Sequence, residues 1–214
     1  MLLVSERMLN MPDSRNRENL VIIIHEIHGV NRHMEYMSTL IGDLGMDVIC
    51  PNLYPPEASL GESEEDAYKS FFQHVGFQKA AATIKELMEK NRSQYKNIYL
   101  VGFSVGATVA WLCSDHSSVK GIFCFYGSRI RDYVHMNPTC PTQLFFSRIE
   151  KSFDVNPLLK ELEKKENASI SFHLFDAPHG FANPYSNTFS QDAFDKSFAL
   201  LKGALTHATE VVER

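Results

Sequence analysis

Long apolar runs are missing from this chain. Leu20 to Ile24, as long as any, is far too short to span a membrane. Met1 to Ser5 carry no basic leader and meet Glu6 and Arg7 at once, so no signal peptide is read and a cytoplasmic protein is expected. Cysteine is scarce. Cys50, Cys113, Cys124 and Cys140 lie far apart, three of them in apolar stretches. That spacing argues against a disulfide framework and a zinc site, and suits buried free thiols in a reducing compartment. Basic charge is short too: 21 Lys and Arg against 26 Asp and Glu give a net charge of −5, with no basic stripe. Neither nucleic acid nor membrane is an expected partner. Repeats, linkers and low-complexity segments are absent. What is present is a chain of 214 residues, 44% apolar and 22% charged, which suits one domain over 1–214 with a sizeable core.

Strand-like and helix-like segments alternate. Residues 6–19 are polar and read as a loop after, at most, a short edge strand. Leu20 to Ile24 suits a central strand covered on both faces. Residues 32–45 carry Met34, Met37, Leu40, Ile41 and Leu44 at helical spacing, closed by Gly45. Asp47 to Cys50 reads as a strand stopped by Pro51, with a loop over 52–56. Residues 63–90 read as helical, broken or bent near Gly76. Further strands are expected at 96–101, 119–126, 142–147 and 168–175. Helices are expected to about 115, over 157–165, and over 191–205 with Phe194, Phe198 and Leu201 on one face. This alternation implies a mostly parallel sheet with helices on both faces.

The stretch from Tyr99 to Ala107 organises the rest. An apolar strand stops at Gly102, turns at Ser104 and continues as a small-residue helix. The pattern G-x-S-x-G places glycines where strand and helix nearly touch, and the tight turn exposes the serine hydroxyl. It also aims the amide of Val105, at a helix start, toward developing negative charge.

A serine nucleophile needs a base, and the base needs an acid. In this architecture the order is nucleophile, acid, histidine, with the histidine after the last strand. His179, inside Asp176-Ala177-Pro178-His179-Gly180-Phe181, holds that place. His25, His28, His33 and His74 precede the serine; His173 lies in a strand, and His116, His135 and His207 lie on helix ends or loops. Glu150 and Asp154 both follow the penultimate strand. Glu150 is nearer its end and is favoured, with Asp154 as the alternative acid and Asp176 on the wrong strand end. His25-Glu26-Ile27-His28-Gly29 is not a zinc motif, because its histidines are three apart and follow a strand rather than ride a helix. It reads as an oxyanion loop, giving a second backbone N–H opposite that of Val105. No metal or other cofactor is needed.

Taken together, five segments resemble the dienelactone hydrolase family in order and spacing: 25–31 (His-Glu-Ile-His-Gly-Val-Asn), 50–54 (Cys-Pro-Asn-Leu-Tyr), 102–106, 125–127 (Phe-Tyr-Gly) and 178–181 (Pro-His-Gly-Phe). The resemblance implies an α/β-hydrolase fold without a large cap. It implies oxyanion donors at Ile27 and Val105, Glu26 beside the nucleophile, and Glu26, Tyr54 and Tyr126 at the substrate site. It puts the acid three residues after Ser147, at Glu150. The chain departs from the family in three ways. Named dienelactone hydrolases use cysteine where Ser104 stands, and their acid is usually aspartate. Their two substrate-binding arginines are replaced by Pro55-Pro56-Glu57 and Ala182-Asn183-Pro184. A neutral small ester, lactone or thioester therefore fits better than an anionic lactone. The expectation is a serine esterase, monomer or homodimer, acting on a small-molecule ester. An acyl-peptide or thioester hydrolase, or a non-catalytic binding protein on the same fold, is the alternative.

Overall fold

The computed structural model describes residues 3–4, 17–61, 63–150, 153–165 and 169–210. The strands are β1 (Leu3–Val4), β2 (Arg17–Ile24), β3 (Asp47–Cys50), β4 (Tyr95–Phe103), β5 (Val119–Phe125), β6 (Thr142–Ile149) and β7 (Ile170–Pro178). The helices are α1 (Arg32–Gly42), α2 (Glu64–His74), α3 (Phe77–Asn91), α4 (Val105–Leu112), α5 (Asn156–Glu163) and α6 (Gln191–Glu210), with a 3₁₀ turn at Ser128–Tyr133. They build one sheet in the order β1-β3-β2-β4-β5-β6-β7, parallel throughout except for β1 at its edge. This is an α/β-hydrolase-like architecture.

Strand alternation divides the core into two layers. Leu20, Ile22, Ile24, Leu100, Ile122 and Leu144 face α2 to α5. Val21, Ile23, Val101, Phe123 and Phe145 face α1 and α6. Both faces of the central strands are covered, which is why their sequences are continuously apolar rather than alternating. From β2 the chain first moves outward to β3, then returns to the other side of β2 as β4. A crevice for ligands opens at such a reversal, at the carboxyl ends of the strands. The loop after β2 and the turn after β4 therefore share one corner.

Several boundaries differ from those read in the sequence. β2 begins at Arg17, inside the stretch expected to be loop; residues 6–16 of that stretch lie outside the described residues. The polar start is held because Asn19 pairs with Asn97 across to β4, and the buried Asn97 Nδ2 donates to Asn19 Oδ1 at 2.9 Å. β7 runs to Pro178, three residues past Phe175, so His179 follows the strand directly. α1 ends at Gly42 and α4 at Leu112, both earlier than expected, while α6 runs on to Glu210. The break at Gly76 is real: its φ of 69° separates α2 from α3. All four cysteines are free and buried, and burial alone pushes the Cys50 thiol up to about 12.

Candidate active site

The turn after β4 is built around its glycines. A Cβ on Gly102 would sit 2.2 Å from the Gly106 carbonyl oxygen, and one on Gly106 would sit 2.1 Å from the Ile24 carbonyl oxygen. Both obstacles are backbone, so neither can swing aside. Between them Ser104 adopts φ 53°, ψ −111°, a conformation that costs a non-glycine residue about 1–3 kcal/mol. Its N–H donates to the Phe125 carbonyl at 2.9 Å, tying the turn to β5. Val105 opens α4, so its N–H has no acceptor within the helix. Gly106→Ala is expected to cost more than about 4 kcal/mol, because strand and helix must separate to admit one methyl. Urea titration checks this; a variant within about 1 kcal/mol of the parent would mean that the contact is loose.

His179 is held at the end of β7 by a turn in which Phe181 N–H donates to the Pro178 carbonyl at 3.2 Å and Gly180 takes φ 82°. Its Nε2 lies 3.0 Å from Ser104 Oγ, and its Nδ1 lies 2.8 and 3.1 Å from the two Glu150 oxygens. Since a carboxylate can only accept, Nδ1 carries the proton and Nε2 is free to accept from the serine. The Glu150 side chain is only 5% exposed. A register shift between Ser147 and Ile149, where β6 meets β7, re-aims the chain just before Glu150. Ser147 Oγ donates to the Ala177 carbonyl at 2.6 Å and clamps that junction. The other two carboxylates are turned elsewhere. Exposed Asp154 accepts from Asn156 N and Nδ2 at 3.0 and 2.8 Å, holding the start of α5. Asp176 is 85% exposed and faces Arg148 at 3.5 Å.

The loop after β2 lies against the same turn. Glu26 O accepts from Gly29 N at 3.1 Å, which closes the loop on itself, and Asn31 caps α1 through Met34 N at 3.2 Å. Tyr54 OH donates to the Ile27 carbonyl at 2.6 Å. The Glu26 carboxylate is buried and bonds His33 Nδ1 on α1. Burial pushes that carboxyl up, but the bond and charge of His33, helped by His179 and His28, outweigh it and hold the group below the ordinary glutamate range. Tyr126 packs its ring 4.9 Å from that of His179. It is fully buried at φ 43°, and burial, then the nearby Glu26 charge, push its phenol well above the ordinary range. Of the residues expected at the substrate site, Tyr126 is fully buried, and Tyr54, only 7% exposed, commits its hydroxyl to the loop.

A match to the family model for the dienelactone hydrolase family extends over residues 6–208. The chain belongs to the dienelactone hydrolase family. Bacillus subtilis YczH, itself uncharacterised, is 44% identical over 184 residues, covering 86% of this chain and 90% of YczH. The carboxymethylenebutenolidase of Pseudomonas putida is 27% identical over 177 residues, covering 72% and 74%. Among solved structures, a Klebsiella pneumoniae protein provisionally called a dienelactone hydrolase superposes with a TM-score of 0.76 at 16% identity, covering 88% of this chain and 87% of that one. The dienelactone hydrolase-like promiscuous phosphotriesterase P91, from metagenomic libraries, superposes with 0.70 at 12% identity, covering 91% and 88%. At such identities the superpositions establish the fold alone.

This is a family of hydrolases, and the chain's departures from its named members can be read in the geometry. Three of the chain's arginines have partners of their own. Arg129 pairs with Asp132 at 2.7 Å, Arg131 lies over the Phe153 ring at 4.6 Å, and Arg32 lies over the Tyr185 ring at 4.2 Å. No group of three or more His, Cys, Asp or Glu among the described residues is arranged to hold a metal. No helix among them is long and apolar enough to cross a membrane. Sequence reasoning missed His25, His33, Ser147 and the 3₁₀ turn. The first two were visible as histidines beside an apolar strand and helix, a setting that demands internal hydrogen-bond partners.

Proposed function

We propose that this chain is a serine hydrolase that cleaves small, uncharged carboxylic esters, lactones or thioesters through an acyl-enzyme. One observation carries the reading: the hydrogen-bonded run from Ser104 Oγ to His179 Nε2 at 3.0 Å, and from His179 Nδ1 to Glu150 at 2.8 Å. Ser104 Oγ attacks the carbonyl carbon while His179 Nε2 takes its proton. Glu150 holds the resulting imidazolium. The carbonyl oxygen becomes an alkoxide between the N–H groups of Ile27 and Val105. Collapse expels the alcohol or thiol, which receives the proton from His179. Water then attacks the acyl-serine by the same route and releases the acid. Removing one oxyanion donor of this kind costs about 10²–10³ in kcat, so both amides matter. The strain at Ser104 supports an enzyme over a binding protein, which gains nothing from a serine held at φ 53°.

The electrostatics support an uncharged substrate. The buried Glu26 carboxylate acts on His179 and Tyr126, and no arginine stands at positions 55–57 or 182–184. We expect kcat/KM for p-nitrophenyl butyrate to exceed that for mono-p-nitrophenyl succinate by at least about tenfold, equivalent to about 1.4 kcal/mol of unfavourable charge contact. Steady-state kinetics on the two esters decides it, and preference for the succinate would overturn this part of the reading.

A further inference from the structure

A peptide unit is planar and trans, so its N–H points opposite to its C=O. The direction of the Ile27 N–H is therefore set by whatever holds the Glu26 carbonyl. Two donors hold it: Gly29 N–H at 3.1 Å and the His25 ring Nδ1 at 2.6 Å. The Gly29 bond is local to the turn. The His25 bond is anchored from outside it, because the ring's other nitrogen, Nε2, lies 3.0 Å from Leu53 N. A backbone amide can only donate, so Nε2 accepts and Nδ1 carries the proton. Protonating the ring would set N–H against N–H at Leu53. The buried site agrees with this: desolvation lowers the His25 pKa, against a smaller opposing pull from the Glu26 carbonyl and carboxylate. The ring also stacks on Tyr54, with centroids 5.6 Å apart and planes 11° from parallel. Tyr54 in turn holds the next carbonyl, that of Ile27, at 2.6 Å. The loop is close to the nucleophile: a Cβ on Gly106 would come within 2.7 Å of the His25 carbonyl oxygen.

We propose that His25 is a positioning residue that, through the Glu26 carbonyl, aims the Ile27 N–H at the alkoxide formed on Ser104. The proposal rests on the hydrolase reading above. His25 never touches substrate. It ties the loop after β2 to the segment 52–54 after β3, and so fixes one of the two oxyanion donors before substrate arrives. A fixed donor matters because its hydrogen bond strengthens only as charge develops on the oxygen. Loss of His25 should then weaken binding of the tetrahedral state far more than binding of the ester itself.

The test compares the parent with His25→Phe, which keeps the ring volume and the stack but neither hydrogen bond, and with His25→Gln, an uncharged side chain carrying both a donor and an acceptor. Each is assayed with p-nitrophenyl butyrate and with an alkyl trifluoromethyl ketone, whose hydrated or serine-bound form mimics the tetrahedral state. In His25→Phe, kcat/KM should fall about 100-fold, as for loss of one oxyanion donor. The ketone Ki should rise by the same factor while KM changes less than threefold. His25→Gln should recover at least tenfold of the loss. A folded His25→Phe protein with unchanged kcat/KM and Ki would overturn the proposal, as would a loss confined to KM. If His25→Phe is insoluble, His25→Asn, too short to keep both contacts, carries the test. A tenfold or greater fall in kcat/KM matched by Ki supports the proposal, and no fall overturns it. The hydrolase reading fails separately, if the parent itself neither turns over the ester nor binds the ketone.

Discussion

Ser104→Ala is expected to lower ester turnover by four to six powers of ten, leaving about the 10³-fold over water that binding and oxyanion donors give alone. The fold should survive. Ser104 Oγ lies 3.0 Å from His179 and fills no core space, while the turn is held by the Ser104 N–H, which alanine retains. Alanine inherits the strain at φ 53°, so its stability should match the parent within about 0.5 kcal/mol. Ser104→Gly should be equally inactive yet more stable by about 1 kcal/mol, since glycine alone adopts this backbone without penalty. Activity and stability would then move in opposite directions at one residue, as expected where strain serves function. Rate assays paired with thermal unfolding read both, and an alanine variant retaining more than a few per cent of the parent rate would remove Ser104 from the chemistry.

The second large effect concerns the acid. Glu150→Gln should lower kcat about 10³–10⁴-fold with little change in KM, because a carboxamide can donate to Nδ1 and so leave His179 in the wrong tautomer. It also cannot neutralise the imidazolium that forms during attack. Asp154→Asn should stay within threefold of the parent, since its Oδ1 still accepts from Asn156. Asp154→Ala should instead cost about 1 kcal/mol of stability through loss of the helix start, with activity unchanged. Steady-state kinetics on the three variants separates a group that works on the histidine from one that holds α5. If Asp154→Asn were the more damaging change, the assignment of the acid would be reversed.

Much of this was legible in residue order. The apolar runs of β2 and β5 announced strands covered on both faces, and the glycines flanking Ser104 announced a turn with no room for side chains. His179 could be singled out because one histidine alone follows the last strand directly. The acid could not be fixed the same way. Glu150 and Asp154 are both short steps beyond β6, and what separates them is a register shift between Ser147 and Ile149, a property of pairing with β7 that no local composition reveals. The start of β2 was missed for a related reason. Arg17, Glu18 and Asn19 look like loop until Asn97, 78 residues away, supplies Asn19 with a partner. The family resemblance put Tyr126 at the substrate site; its side chain is fully buried at φ 43°, with its ring 4.9 Å from that of His179. His25 read only as the first residue of the oxyanion loop, with no role of its own, because both of its partners are backbone groups, and backbone carries no mark in a sequence.

The central claim is that Ser104 is an activated nucleophile. The most direct measurement is reaction of the intact protein with a fluorophosphonate at neutral pH, followed by mass spectrometry of the intact chain and its peptides. One adduct per chain is expected, on the peptide containing Ser104, absent in Ser104→Ala and slowed by orders of magnitude in Glu150→Gln. A folded parent protein that takes up no label, or takes it up on another residue, would contradict it.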